Sequence, residues 1–432
     1  MPEPIVYEQP IVYEQLIVYE QVYELLYQTL DEKIKKPTLK RLTLMVLGII
    51  RGESASPARI AKALNVLGLT NATAESIERR IRRIENDTNI SVTTCFHPLA
   101  KERLAFGRPR QLLLIIDPTT QEDHVVMLTV GVWYRGKALP IAWMVWPANK
   151  PLKGDGFWQR VETLLDVVAE LLPVNIPIIW LADRAFGSPA FIDLITAREW
   201  YYITRVVKTT RYLTENQTEK GVCHKIGDLT PKRGRRAKMR GKAFKKRGWR
   251  CVSIVAYWGK GHDTPLLLVS NLPPDYRLIY TYARRYSIES LFRDCKSYGW
   301  HWEQGQVRNL EHLERLLVGM ALATWVTILV GAQVADEYLA IPPTGKRRTV
   351  PWAGKQSLFQ LGLHRLQKLL MGTCQTPIRW CLTHWDAPSW RKQIYFHHAR
   401  AYVLGPNSCS SSSFITASNS KSNRKEPVRC CA

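Results

Sequence analysis

Two apolar runs in this chain each stop at an aspartate. Leu112–Ile116 (LLLII) runs into Asp117, and Ile176–Ala182 (IPIIWLA) runs into Asp183. Such short, wholly apolar runs read as strands buried on both faces. Around them, Val125–Tyr134 and Ala138–Trp146 flank an Arg135-Gly136-Lys137 turn, which predicts a hairpin. Phe157–Leu172 has an amphipathic helical pattern, Pro189–Arg198 predicts a further helix, and Tyr201–Val206 another strand. The order β-β-β-α-β-α-β predicts an α/β chain with a mixed sheet flanked by helices. An acid directly after such a run is costly unless it faces a site at the strand end. Either Asp read singly also suits a turn or a helix cap.

Charge narrows the partner. The 432 residues carry 61 Lys and Arg against 37 Asp and Glu, a net +24. Residues 1–30 hold five Glu and no Lys or Arg, so the positive field belongs to the rest of the chain. A pI near 9.7 disfavours an enzyme of small neutral metabolites and favours a polyanion, either nucleic acid or an anionic membrane surface. The apolar share of 46%, with 15 Trp and 18 Tyr, excludes a disordered chain, and the length predicts two to three domains. Nine cysteines without a CxxC pair, and an N-terminus without a basic and apolar leader, predict a cytoplasmic, nucleoid-associated protein.

Composition divides the chain further. Residues 1–30 contain an imperfect six-residue repeat (IVYEQP, IVYEQL, IVYEQV). Its even period suits a β-prone ribbon, although Pro4 and Pro10 oppose a regular element and a tail without chemistry is the plainer reading. Residues 31–100 predict a helical, candidate DNA-binding region. Its third helix, Ala74–Asn86, carries Arg79, Arg80, Arg82 and Arg83 opposite Ile77, Ile81 and Ile84. A solvated basic face is the alternative there. Residues 108–206 hold the strand-rich segment. Residues 207–275 predict a β-rich insertion with a basic arm, Lys232–Arg250, that includes Arg235 and Arg236. Residues 276–340 are helical, 341–404 form a C-terminal helical region, and 405–432 a disordered Ser-rich tail. Leu316–Val334 meets the length rule for a membrane span, but its Gly, Thr and Gln residues favour a buried core helix and no membrane.

The most informative pattern lies at 276–300. Tyr282, Arg285, Glu289 and Lys296 fall within one arc of about 60° if the segment is one α-helix. One face then presents a carboxylate for a hard cation, with Arg and Lys beside it for phosphates. Ordinary i,i+4 pairing of Arg285 with Glu289 is the plain alternative. With Asp117 and Asp183 there are three carboxylates. If they converge, they would hold two metal ions for in-line attack on a phosphodiester.

These residues carry a resemblance. The chain resembles DDE transposases of the insertion-sequence-four family, the cut-and-paste elements. The family's Tyr, two residues, Arg, three residues, Glu, six residues, Lys is matched at every spacing by Tyr282, Arg285, Glu289 and Lys296. Asp183-Arg184-Ala185-Phe186 matches its second motif, and Asp117 its first Asp. The resemblance covers about residues 40–375. It implies a ribonuclease H-like core interrupted by a β-strand insertion, with Asp117, Asp183 and Glu289 catalytic and holding two Mg²⁺, or Mn²⁺ in substitution. It also implies phosphate contacts by Arg285 and Lys296, with Tyr282 and Arg184 near the same backbone. An insertion Trp stacking on a flipped base is implied too, Trp258 before Trp249. The partners implied are double-stranded DNA, both transposon ends and target, and a second copy of the chain in the synaptic complex. The competing class is a DNA-binding protein without catalysis, either a regulator or a decayed transposase copy. No Walker A loop occurs, so no nucleotide cofactor is expected. Cys374, Cys381, His384, His397 and His398 match no defensible zinc spacing.

Overall fold

The computed structural model describes residues 10–392, apart from 122–123, 151, 220, 306, 341–354, 375, 381, 384, 386 and 388–391, with side chains from Leu16 onward. The first copy of the repeat up to Gln9, four of the five zinc candidates and the Ser-rich tail lie outside the described residues.

The N-terminal quarter is helical: α1 (Pro10–Leu30), α2 (Lys36–Gly52), α3 (Pro57–Val66), α4 (Ala74–Glu85), α5 (Val92–Cys95) and α6 (His97–Phe106). For residues 10–30, helix α1 corrects the reading as a tail or strand-prone ribbon. Val18, Val22, Leu25, Leu26 and Leu30 are spaced at helical intervals and are all buried. Tyr19, Tyr23 and Tyr27 stack along the helix at centroid distances of 6.1 and 5.8 Å. Helix α4 begins at Thr73, whose hydroxyl accepts the Ser76 amide, and it buries Ile77, Ile81 and Ile84 as the pattern requires.

The sheet has ten strands: β1 (Leu112–Gln121), β2 (Val125–Tyr134), β3 (Lys137–Pro147), β4 (Ile178–Ala182), β5 (Tyr201–Arg205), β6 (Arg211–Thr214), β7 (His224–Lys225), β8 (Arg236–Ala243), β9 (Arg250–Tyr257) and β10 (Leu266–Ser270). The order is β3-β2-β1-β4-β5-β10-β9-β8-β6-β7. β1, β4 and β5 are parallel, and the remaining pairings are antiparallel. Helices α7 (Gly156–Leu171) and α8 (Pro189–Thr196) connect the parallel strands. The mixed sheet with flanking helices is the expected fold class, consistent with a ribonuclease H-like fold. The strands of 207–275 continue the same sheet through the pairing of β10 with β5.

The sheet separates two apolar layers. Leu112, Leu114 and Ile116 point into the larger core, whereas Leu113 and Ile115 join a second cluster with Ile179, Leu181, Ile203, Val255 and Leu268. That alternation is the period of a strand buried on both faces. The second layer is closed by α9 (Arg277–Tyr282) and α10 (Ser287–Arg293), through Leu278, Tyr282, Ile288 and Leu291. The larger core is threaded by α11 (Leu310–Ala340). It is long and apolar enough to cross a membrane, and 89% of its most apolar stretch is buried inside the protein. Trp325 on α11 donates its indole N–H to the Pro140 carbonyl at 2.8 Å. α12 (Leu358–Leu370) crosses α11 at two glycines. A Cβ on Gly331 would stand 1.9 Å from the Leu358 oxygen, and one on Gly362 1.7 Å from that of Thr327. Only glycine permits that approach.

Candidate active site

The strand register sets the site. In the parallel pairing of β1 with β4, Ile116 lies opposite Ala182, and that pair is the last. Asp117 and Asp183 therefore leave side by side, on strands about 4.8 Å apart. Each continues the odd-numbered series of its strand, so both face the layer closed by α9 and α10. One detail differs from the sequence expectation. Asp117 does not end its strand, since β1 continues to Gln121 against β2, with Asp117 paired to Thr129. It marks instead the point where the parallel neighbour departs.

Asp183 is held in place by the turn immediately after it. Arg184–Phe186 form a 3₁₀ turn. The Phe186 ring is fully buried against Phe157, Trp158 and Phe191, at 5.9, 6.2 and 5.3 Å between centroids. The Asp183 carbonyl accepts the Thr204 hydroxyl at 3.2 Å. Arg184 is exposed beside the half-buried Asp183.

Residues 277–298 correct the single-helix expectation. α9 gives way to a 3₁₀ turn over Ala283–Tyr286, then α10, then a π-helical turn over Asp294–Tyr298. The angular argument for one shared face therefore fails. Tyr282 is buried and packs into the second apolar layer. Burial, with the negative charge of Asp183 beside it, pushes its phenol well above the usual range, against the opposing pull of Arg285. Arg284 stacks on Trp133, 4.4 Å from the ring centre.

Arg285 is the hub. It is 5% exposed, and donates to Asp117 Oδ2 at 3.2 Å and to Glu289 Oε1 at 2.5 Å. Burial opposes its charge, but Tyr282, Glu289, Asp117 and Asp183 hold it more firmly protonated than an ordinary arginine. Asp117 shows the converse. Burial raises its carboxyl to about 6, Arg285 pulls it down, and the charges of Asp183 and Glu289 push it up. The three carboxylates thus share one electrostatic centre built around one guanidinium. Lys296 stands apart from it. It donates to the Thr120 carbonyl and pairs with Glu303 at 3.2 Å.

A second network lies behind α10 and was not foreseen from the sequence. Lys137, the first residue of β3, reaches Asp294 and donates to Ser290 Oγ at 2.6 Å. Both charged residues are buried. Burial pushes the Asp294 carboxyl up and the Lys137 ammonium down, and their mutual attraction opposes both shifts. The pair ties the β2–β3 hairpin to the start of the π-helical turn. The sole signal in the sequence was a lysine opening an apolar strand.

The other expected nucleic-acid contacts are scattered. Arg79, Arg80, Arg82 and Arg83 are all exposed on α4, with Arg79 paired to Glu75 at 2.6 Å and Arg82 to Glu78 at 2.8 Å. The basic arm contains strand β8 and the turn leading to β9, and is not a free segment. Within it, Arg235 receives the Trp258 amide on its carbonyl, and Arg236 stacks on Tyr276 at 4.7 Å. Trp258 is half-buried and donates its indole N–H to the His262 carbonyl at 2.9 Å. Trp249 is also half-buried.

Three carboxylates suit a hard divalent cation in kind. Among the described residues, however, no three His, Cys, Asp or Glu stand close enough to hold an ion. Arg285 occupies the space between Asp117 and Glu289 instead. The donor chemistry fits a metal, while Arg285 holds one oxygen each of Asp117 and Glu289.

Residues 155–326 match the family described as the transposase DDE domain. That span contains Asp183, Arg285 and Glu289, and leaves Asp117 outside. No curated protein matches the chain. Among solved structures, the chain is similar to the cryo-EM structure of a piggyBac transposase synaptic complex with hairpin DNA. The likeness has 12% identity and a TM-score of 0.43, over 94% of this chain and 87% of that one. The segment from 155 to 326 is thus similar to the transposase DDE domain.

Proposed function

We propose that this chain is a cut-and-paste transposase of the insertion-sequence-four type, cleaving DNA at the ends of its element and joining them to a target. The observation that carries the reading is the register that sets Asp117 beside Asp183, with Arg285 linking Asp117 to Glu289. The Tyr-Arg-Glu-Lys spacing and the DDE-domain match support it. Asp117, Asp183 and Glu289 would hold Mg²⁺, with Mn²⁺ able to substitute. Such ions, when bound, supply charge stabilisation and an activated attacking oxygen.

The chain's own residues do the rest. Arg285 offsets part of the clustered negative charge and links Glu289 to Asp117 of β1. Tyr282 anchors that helical segment in the apolar layer. Arg184, exposed next to Asp183, is free to meet a phosphate. Lys296 approaches the same edge of the sheet through Thr120. The partner is double-stranded DNA. Joining two ends calls for two active sites, hence a homodimer. No nucleotide cofactor takes part, and the protein acts in the cytoplasm, at the nucleoid.

The test is strand cleavage in Mg²⁺ of a duplex bearing the ends of the encoding element, comparing wild type with Glu289→Gln. Nicking by the wild type alone supports the assignment. A wild type that binds the duplex without cutting it favours a DNA-binding protein lacking catalysis, a reading to which the Arg285-bridged carboxylates lend some weight.

A further inference from the structure

The segment that follows the Asp183 turn forms one wall of a cleft whose opposite wall is basic. The cleft has a volume of about 530 Å³. It lies between Gly187–Pro189, which lead into α8, and the turn joining β8 to β9. Arg211, Lys225, Lys245, Lys246 and Arg247 line it, and no lining residue is acidic. Among the described residues none of these five is ion-paired. Arg211 reaches only the Cys223 carbonyl, at 3.4 Å. Five uncompensated cations around one concavity raise its potential and select an anion of several charges.

Two further observations show that the display is built. Phe244 has φ +77° and ψ +47°, a conformation that costs a bulky residue free energy. It is held there by its ring, 8% exposed, and by its amide donating to the Arg211 carbonyl at 3.0 Å. The strained residue turns the chain so that Lys245, Lys246 and Arg247 stand consecutively on the cleft wall. Across from them, Ser188 Oγ is buried with no hydrogen-bond partner among the described residues. A buried hydroxyl without a partner suits an incoming oxyanion.

We infer that this cleft seats the phosphodiester backbone of the DNA immediately flanking the position of Asp183. The inference takes DNA as substrate from the proposed function, but it does not depend on cleavage. A small polyphosphate would meet the same chemistry. The other wall, Gly187–Pro189, follows directly in the chain from the Asp183 turn, which favours a polymer that runs on toward the carboxylates.

The experiment compares wild type with the triple variant Lys245→Gln, Lys246→Gln, Arg247→Gln, using anisotropy of a fluorescein-labelled duplex over a salt series. The three side chains are exposed, so the core is untouched, and a thermal melt checks the fold. Loss of three phosphate contacts should flatten the slope of log affinity against log salt by about 2–3. A Lys246→Cys variant carrying a photo-crosslinker should attach to the duplex within a few nucleotides of the nick position, or of the element's end if no nick forms. An unchanged slope with no crosslink overturns the inference. So does stoichiometric binding of tripolyphosphate that the triple variant loses while its duplex slope stays at the wild-type value. A flattened slope in the triple variant of a protein that never cleaves would leave the cleft standing and remove only the catalytic reading.

Discussion

Asp117 and Asp183 are consecutive steps of one register: the Ile116–Ala182 pair closes the parallel ladder, and the next residue of each strand is an aspartate on the same face of the sheet. Charge is concentrated there by backbone geometry before any ligand is considered. Asp117 titrates near 6 in the folded chain and near 3.8 when unfolded. The folded state therefore holds the proton more tightly, and ionising Asp117 weakens folding as pH rises from about 4 through 6.

Asp117→Asn is accordingly expected to abolish cleavage while stabilising the fold by about 1–3 kcal/mol at pH 8 and by much less at pH 4. Urea denaturation at the two pH values checks the sign. Equal stability of variant and wild type at pH 8 would show that Arg285 already compensates Asp117 in full.

Lys137→Met should be far more damaging than its distance from the carboxylates suggests. It leaves Asp294 buried without a partner, a loss of about 3–5 kcal/mol. The double variant Lys137→Met, Asp294→Leu should recover most of that stability. If the double variant melts no higher than the single one, the pair contributes through hairpin geometry and not through charge.

Phe186→Ala tests how Asp183 is aimed. Emptying the aromatic nest of Phe157, Trp158 and Phe191 should cost about 3–5 kcal/mol. Any cleavage remaining at low temperature should fall further than duplex binding does. Unaltered turnover in the folded fraction would mean that the Thr204 contact alone fixes the turn.

On α4, Arg80 and Arg83 should matter more to DNA than Arg79 and Arg82, which already have glutamate partners one turn away. Arg80→Gln with Arg83→Gln is expected to flatten the salt dependence of duplex binding by about 2. The matching Arg79, Arg82 pair of substitutions should do less, because each also frees a Glu. Indistinguishable slopes for both double variants and the wild type would make this a solvated helix face.

Much of the parallel core was legible because strands buried on both faces leave unbroken apolar runs, and LLLII and IPIIWLA are such runs. The span of β1 was not. Beyond Ile116 its partner is β2 alone, and polar residues there carry no strand period. The repeat misled because its six-residue period fits a strand as well as a tail. The helical signal lay in Tyr19, Tyr23 and Tyr27 and in the spacing of Val18, Val22, Leu25 and Leu26. The break-up of 277–298 was invisible for another reason: the segment contains neither Pro nor Gly, so nothing local marks its 3₁₀ and π turns. Residues grouped by spacing, Tyr282, Arg285 and Glu289, do meet near Asp117, whereas Lys296, within the π turn, stands apart from them. Lys137 with Asp294, 157 positions apart, had no local signature at all.

The hydrogen bonds between β10 and β5 carry a consequence for anyone who would shorten this protein. An insertion that folded on its own could be cut out and its ends rejoined. Here the removal of 207–275 would leave β5 as a bare sheet margin of unpaired amides and carbonyls, buried neighbours Ile203 and Tyr202 included. Such a margin recruits whatever strand is nearest, most often that of an identical molecule. The minimal catalytic fragment of this chain should therefore precipitate, and the segment that looks dispensable by length is what keeps the sheet from polymerising.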